Sequence, residues 1–286
     1  MSNSLATARG HLNKTPTAQP HALSNSVSAK RRAHVRAGQK DMKLKHQTTD
    51  KKEPFDEKAM AKSTTIHIDY TGRLPTRGSK GTLYFLLATW GAYIHYEPLT
   101  SLRGPETAAA VKSAVAFFRQ YHITLDTIRM DNQSSPELQQ VAVELNLSWE
   151  LVNPDMHEPN RAERAIRTGK NHMIAARAGF DPACPVTFVD RCLFQIELTL
   201  NIMHPFEYDT TISAYHGLVG ERFNFSRHPI APVGTKVLTW DSPDRRGSWA
   251  DHGVVGIYLG PALKHFRGFH IWVPQTSSTR ISGTVW

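Results

Sequence analysis

The sequence predicts an α/β chain in which a mixed sheet with flanking helices is followed by a small all-β barrel. Three observations carry this. Between residues 64 and 203, short β-rich runs alternate with stretches at helical spacing. Beyond Arg222 the texture changes to short β-rich segments parted by Gly and Pro, the pattern of a small barrel. Hydrophobic residues make up 40% of the chain and include 12 Phe, so a core can be buried. The expected division is a disordered basic arm or linker at 1–62, the α/β unit at 63–205, a connector at 206–230 and the barrel at 231–286.

Charge is unevenly spread. The formal net charge is +9, and residues 1–62 alone hold 13 Lys/Arg against 5 Asp/Glu. That arm is poor in aromatics and rich in Ser, Thr, Ala and Lys, so it cannot bury enough surface to fold alone. It reads as a polyanion-binding tail, with a solvated linker as the plain alternative. Only two cysteines occur, Cys184 and Cys192, which excludes a disulfide framework and a four-cysteine zinc site. No window approaches the roughly 20 apolar residues of a membrane span, and the start has no apolar signal-peptide region. A soluble intracellular protein without a membrane partner is expected.

The elements follow in order. Phe55 to Lys62 has the makings of a short helix. Thr64 to Gly72 is a β-rich run ending in a turn, with Asp69 near the end of the strand. The Gly-Ser-Lys-Gly turn at 78–81 leads to a second strand, Thr82 to Thr89, which continues past a break at Gly91 into Tyr93 to Pro98. Gly104-Pro105-Glu106 opens a helix whose stripe is Ala108, Val111, Val115 and Phe118. Leu125 to Met130 is a short strand delivering Asp131-Asn132, and Ser135-Pro136-Glu137 caps the helix after it. Trp149 to Val152 is a further strand. A helix over about 185–203 ends the unit, giving the order β-β-β-α-β-α-β-α-α.

The helix between those last two elements lies within His157 to Met173. Glu163, Arg167 and Lys170 share one face of it, while Ala162, Ile166, Gly169 and Met173 form a small or apolar stripe opposite. A carboxylate with cations one and two turns further on can hold a metal at one end and a phosphate backbone at the other. A surface helix with a Glu163–Arg167 ion pair is the plainer reading of the helix alone. Asp69, Asp131 and Glu163 each read singly as turn or cap residues. Two acids at strand ends with a third beside a base-lined helix make a stronger pattern together.

In the barrel region the strands are Thr235 to Trp240, Gly253 to Leu259, Phe269 to Val273 and a last run, Thr279 to Trp286. Trp240, Trp249, Tyr258, Phe266 and Trp272 are expected mostly in its core. Lys264, His265 and Arg267 are expected on one solvated loop, with a nucleic-acid contact as the sharper alternative.

Three stretches carry a resemblance: Ile66-His-Ile-Asp69-Tyr-Thr-Gly-Arg-Leu-Pro75, Arg129-Met-Asp131-Asn132, and Pro154-Asp-Met-His157-Glu-Pro-Asn160-Arg-Ala-Glu163-Arg-Ala-Ile-Arg-Thr168. Downstream, Ala231 to Leu238, Arg246-Gly-Ser-Trp249-Ala-Asp-His252 and Gly256 to Pro261 add to them. Together, over about residues 64–275, the chain resembles the integrases of copia-type LTR retrotransposons, more closely those of diatoms and other microalgae. Within that pattern Asp131 and Glu163 are 32 residues apart, slightly closer than usual, and Gln133 stands where a small residue is common. The family's N-terminal His/Cys zinc module has no counterpart, although Ala8 to Leu12 is similar to the linker that follows it. A piece of an element's polyprotein, a decayed copy or a co-opted one is expected.

The resemblance implies a ribonuclease H-like core followed by an SH3-like barrel. It implies 3′-end processing and strand transfer of element cDNA into target DNA, by two-metal polynucleotidyl transfer. Asp69, Asp131 and Glu163 would be the catalytic ligands of Mg²⁺, with Mn²⁺ as a substitute. Arg167 and Lys170 would grip DNA, with Asn132, Asn160 and His157 as further contacts; a helix cap for Asn160 and a packed turn residue for His157 are the plainer roles. Partners would be element cDNA ends, target DNA and further copies of the chain, and the location the nucleus. A ribonuclease H-type nuclease and an inactive retroelement-derived DNA-binding protein are the alternatives.

Overall fold

The computed structural model describes residues 64–130, 135–151 and 161–286, without the side chain of Arg161. The basic arm, the 55–62 helix, Asp131, Asn132, His157 and Asn160 lie outside the described residues. The first unit contains β1 (Thr65–Tyr70), β2 (Tyr84–Trp90), β3 (Tyr93–Leu99), α1 (Gly104–Arg119), β4 (Thr127–Met130), α2 (Pro136–Glu144), β5 (Ser148–Leu151), α3 (Arg161–Ala178) and α4 (Leu193–Met203). Its sheet has the order β3-β2-β1-β4-β5. The first three strands are antiparallel neighbours, whereas β4 runs parallel to β1 and β5 parallel to β4. The expected mixed sheet with flanking helices is present.

Local chemistry explains the turns. β2 and β3 are not one interrupted strand but a tight hairpin, with Trp90 opposite Tyr93. The connecting Gly91 and Ala92 take φ values of 54° and 71°, as a two-residue loop with both positions left-handed demands. Parallel strands need long crossovers, which α1 and α2 supply for β4 and β5. Ser135 caps α2 by accepting the Leu138 N–H at 3.3 Å.

Alternation along β1 sorts the two faces of the sheet. Ile66 and Ile68 are fully buried with Leu86, Val111, Phe118 and Ile128 beneath α1 and α2. On the other face Phe85, Leu87, Ile94 and Tyr96 pack against Ala165 and Met173 of α3 and Ile196 of α4.

α4 also closes the open edge of β3. The Ile94 N–H donates to Asn201 Oδ1 at 2.9 Å, Asn201 Nδ2 donates to the Ile94 carbonyl at 2.8 Å, and the Tyr96 N–H donates to Glu197 Oε2 at 3.1 Å. His95 sits between Glu197 and Glu97, each 3.0 Å away, and stacks on Phe117 of α1 at 3.8 Å. Burial alone would lower the His95 pKa, but the two carboxylates outweigh it and raise it to about 9.

The helix expected over 185–203 is broken. A 3₁₀ turn, Val186–Asp190, precedes α4, and Arg191-Cys192 separates them. Asp190 accounts for the break. It is buried, and its carboxylate accepts from Ser79 Oγ at 2.8 Å, the Lys80 N–H at 2.6 Å and Thr82 Oγ1 at 3.3 Å. Turning that side chain into the 78–82 loop is incompatible with a straight helix running through it.

After α5 (Ala214–Val219) comes an antiparallel sheet of β6 (Lys236–Trp240), β7 (Gly253–Pro261), β8 (Phe269–Val273) and β9 (Ser278–Ser282), in that order. Beyond β9 the chain returns to β6, where Leu238 and Trp286 exchange backbone hydrogen bonds of 2.7 and 2.9 Å. One side of this sheet has a small core of its own, Tyr258, Ile271 and Val273, and the other side packs on the first unit. Ile257 and Leu259 of β7 belong to the cluster of α3 and α4, Tyr258 donates to Gln195 Oε1 at 3.1 Å, and Trp272 meets Phe188 edge-on at 4.6 Å.

Two aromatics expected in the second core are elsewhere. Trp249 is 100% exposed and Phe266 is 53% exposed, because they stand in the β6–β7 and β7–β8 connections rather than at inward strand positions. Tyr258 is buried as expected, and Lys264, His265 and Arg267 are exposed.

Candidate active site

α3 packs through small residues. Ala162, Ala165, Gly169 and Met173 are buried, and Ile166 packs against the same cluster. Gly169 is the tightest point: a Cβ there would meet the Tyr96 hydroxyl and come within 3.0 Å of its Cζ and 3.2 Å of Leu87 Cδ2. Only glycine lets the helix lie this close to β2 and β3.

That close approach fixes what the outer side of α3 presents. Glu163, in the first turn, and Arg164, Arg167 and Lys170 are all exposed. The Glu163–Arg167 ion pair expected from their spacing is absent. None of these four makes an ion pair or side-chain hydrogen bond with a described residue. The helix therefore displays one carboxylate followed by three cationic side chains, none engaged by a described residue.

Asp69 is the fifth residue of β1. It is half-buried and alternates with Ile68 and Tyr70, which pack toward α1, so it belongs with Thr65 and His67 on the face that α3 covers. Its Oδ1 accepts the Tyr70 N–H at 2.7 Å, which fixes the orientation of the carboxylate. The Tyr70 phenol is pushed up to about 12, first by burial and further by the Asp69 charge, so it stays neutral at ordinary pH.

Asp69 and α3 share one face of the sheet: Gly169 packs on Leu87, the residue opposite Asp69, and the first turn of α3, at Arg164, lines a cleft with Thr65 and His67 at the start of β1. β4 lies beside β1 with Met130 opposite Ile68, and Asp131 is the next residue in sequence. Asp131, Asn132, His157 and Asn160 are outside the described residues. Among the described residues no three His, Cys, Asp or Glu side chains gather closely enough to hold a metal. Asp69 and Glu163 are hard oxygen donors, one oriented by a backbone amide and one unengaged, which suits a Mg²⁺-like ion in donor type.

Reading the motifs alone passes over three further residues on this face: His67, Arg164 and Thr168, which line one cleft. A signal existed for two of them. His67 is two positions before Asp69 on an alternating strand, and Arg164 directly follows Glu163.

No family model matches the chain, and no curated protein matches it. Among solved structures it is similar to the catalytic core domain of BIV integrase in crystal form I. That likeness has 15% sequence identity and a TM-score of 0.40, and covers 55% of this chain and 95% of that one.

Proposed function

We propose that the chain carries an integrase core of the copia type, which processes 3′ ends of element cDNA and joins them to target DNA. One observation carries the reading. The central strand β1 turns Asp69 toward the face covered by α3, whose first turn bears Glu163, while the neighbouring parallel strand β4 ends where Asp131 begins. Three carboxylates fed by two adjacent parallel strands and a helix are the donor set for phosphodiester displacement.

In this reading Asp69, Asp131 and Glu163 hold Mg²⁺, or Mn²⁺ in its place. When bound, the ions activate the attacking oxygen and stabilise the leaving one. The chain's own residues do the rest. The Tyr70 amide donates to the Asp69 carboxylate and helps to orient it. Arg167 and Lys170, one and two turns beyond Glu163, hold backbone phosphates of the DNA end along the helix. Asn132, Asn160 and His157 are further DNA contacts in the same reading. The four-stranded sheet serves as a small SH3-like barrel that adds DNA contacts, and the working form is a homo-oligomer on paired DNA ends.

The test is strand transfer with labelled LTR-end duplexes in Mg²⁺ or Mn²⁺, comparing the wild type with Glu163→Gln. Joining by the wild type and not by the variant supports the reading. Equal products from both, or none from either, would end it for this chain.

A further inference from the structure

Two thiols meet in the core where α3 gives way to α4. Cys184 and Cys192 are the chain's only cysteines, and no step of the proposed chemistry uses either. Both are free and buried, and both belong to the cluster that joins α3, α4 and the second sheet. They stand eight positions apart. The 3₁₀ turn Val186–Asp190 coils the chain between them, and the Cys192 N–H donates back to the Phe188 carbonyl at 2.9 Å. The side chains meet: the Cys192 thiol donates to the Cys184 sulfur. That contact holds the Cys184 thiol below its ordinary pKa, whereas the same contact and burial push Cys192 up.

The two differ in access. Pro182, Ala183 and Val186 around Cys184 are exposed, so a small local opening there bares its sulfur. Cys192 has no exposed surface and needs none, because its target is the Cys184 sulfur. We infer that the pair is an oxidative modification site, which hydrogen peroxide converts to an intrachain disulfide. The Cys184 thiolate attacks one peroxide oxygen and the O–O bond breaks. The departing hydroxide takes up the proton that Cys184 gave up, forming water, and Cys184 is left as a sulfenic acid. The Cys192 sulfur then attacks the Cys184 sulfur, the S–O bond breaks, and the leaving hydroxide takes the Cys192 proton as a second water. Two thiols lose two electrons between them, and peroxide is reduced to two waters.

The bond would close a ring around the residues that hold the 78–82 loop. Within it Asp190 accepts from Ser79, Lys80 and Thr82, and the Thr187 carbonyl accepts the Ser79 N–H at 2.7 Å. Arg191 Nε donates to Ser79 Oγ at 2.9 Å. Phe188, in the same ring, meets Trp272 of β8. Oxidation therefore fixes a segment on which both the 78–82 loop and the second sheet lean. This holds whether or not the chain joins DNA.

The full chain in native buffer is treated with hydrogen peroxide, then unfolded in urea with an alkylating agent and digested with trypsin. Cleavage after Arg191 puts the two cysteines on different peptides. The expected product is those two peptides joined, from a chain lighter by two hydrogens, and dithiothreitol separates them. Cys192→Ser is expected to stop at the sulfenic acid, trapped by dimedone on Cys184, and Cys184→Ser to leave Cys192 alkylatable. In the oxidised wild type the thermal midpoint is expected to rise by about 5 °C, the gain from closing a short loop. Amide exchange over residues 78–82 slows severalfold, and dithiothreitol reverses both changes. Two thiols still alkylatable after peroxide, a bond formed only between copies, or dimedone on Cys192 in place of Cys184 overturns the site. So does an oxidised chain whose midpoint and exchange equal those of the reduced one, since the ring then holds nothing. The wild-type digest decides the matter even where a serine variant fails to fold.

Discussion

The two faces of β1 differ although the strand has only six residues. Toward α1 and α2 it presents Ile66 and Ile68, both with no exposed surface, and the neighbours on that side are almost all apolar. Toward α3 it presents Thr65, His67 and Asp69, on the face where Gly169 lets the helix pack closely on β2 and β3. One face supplies cohesion; the other leaves room for polar groups close to a tightly packed helix. The difference teaches that a period-two pattern of isoleucine and polar residues on a central strand is a division of labour. A strand buried on both sides for stability alone would be continuously apolar.

The sharpest way to break that division is to exchange single residues across it. Ile68→Ala should cost about 2–5 kcal/mol, because it opens a cavity in a closed apolar cluster, and a urea midpoint would read this directly. Asp69→Asn, one position on, should leave that midpoint nearly unchanged while strand transfer falls below detection. If Asp69→Asn unfolds the chain or Ile68→Ala is silent, the two faces are not divided as described.

One polar group interrupts the apolar face and gives the next test. His95, stacked on Phe117 and held by Glu197 and Glu97, has its pKa raised to about 9 from an ordinary 6.5. The sign follows from linkage. A histidine whose folded pKa is raised contributes fully below the unfolded value and loses that contribution as pH climbs through the folded one. Stability should fall between about pH 6.5 and 9, by roughly 2 kcal/mol after allowance for partial exposure. Glu197→Gln should flatten the profile and also loosen the β3 edge, because the same carboxylate accepts the Tyr96 N–H. A wild-type profile already flat over that window would show that His95 is not held charged.

The opposite face is tested at Gly169. In an exposed helix, Gly→Ala stabilises by about 1 kcal/mol. Here the added methyl would press on the Tyr96 ring and Leu87, so Gly169→Ala should instead destabilise by about 1 kcal/mol, the usual cost of overpacking partly offset by helix propensity. Differential scanning calorimetry distinguishes the two signs. A stabilised variant would mean that α3 is free to lift from the sheet, and then Glu163 is not fixed relative to Asp69.

Much of this was legible in the chain because it depends on local pattern. The order of nine core elements follows from runs and stripes, and the small or apolar face of α3 follows from Ala162, Ile166, Gly169 and Met173 at helical spacing. The acids could be placed at a strand end and a helix start for the same reason. What was not legible depends on partners distant in sequence. The break before α4 exists because Asp190 reaches residues 79–82, over a hundred positions away. Trp249 and Phe266 are apolar enough for a core, and only strand boundaries put them in exposed connections. The second sheet keeps a small core of Tyr258, Ile271 and Val273, and only packing between distant segments puts Ile257 and Leu259 in the cluster of α3 and α4. The free state of Glu163 and Arg167 was also hidden, since i,i+4 spacing permits an ion pair without requiring one.

The smallest expected effect falls on the solvent side of α3, where the comparison can be refined rather than broken. Arg167 is exposed and engaged with no described residue, so Arg167→Ala should shift the thermal midpoint by no more than about 0.5 kcal/mol equivalent. If its guanidinium grips a phosphate, DNA affinity should still fall several-fold, with a salt slope shallower by about 0.9. Arg167→Lys should restore the slope, because a point charge releases the same counterion even where fork geometry is lost. A change in stability without a change in salt slope would move Arg167 to the structural side of the division. A change in slope without a change in stability would extend the polar face of β1 outward along the helix that covers it.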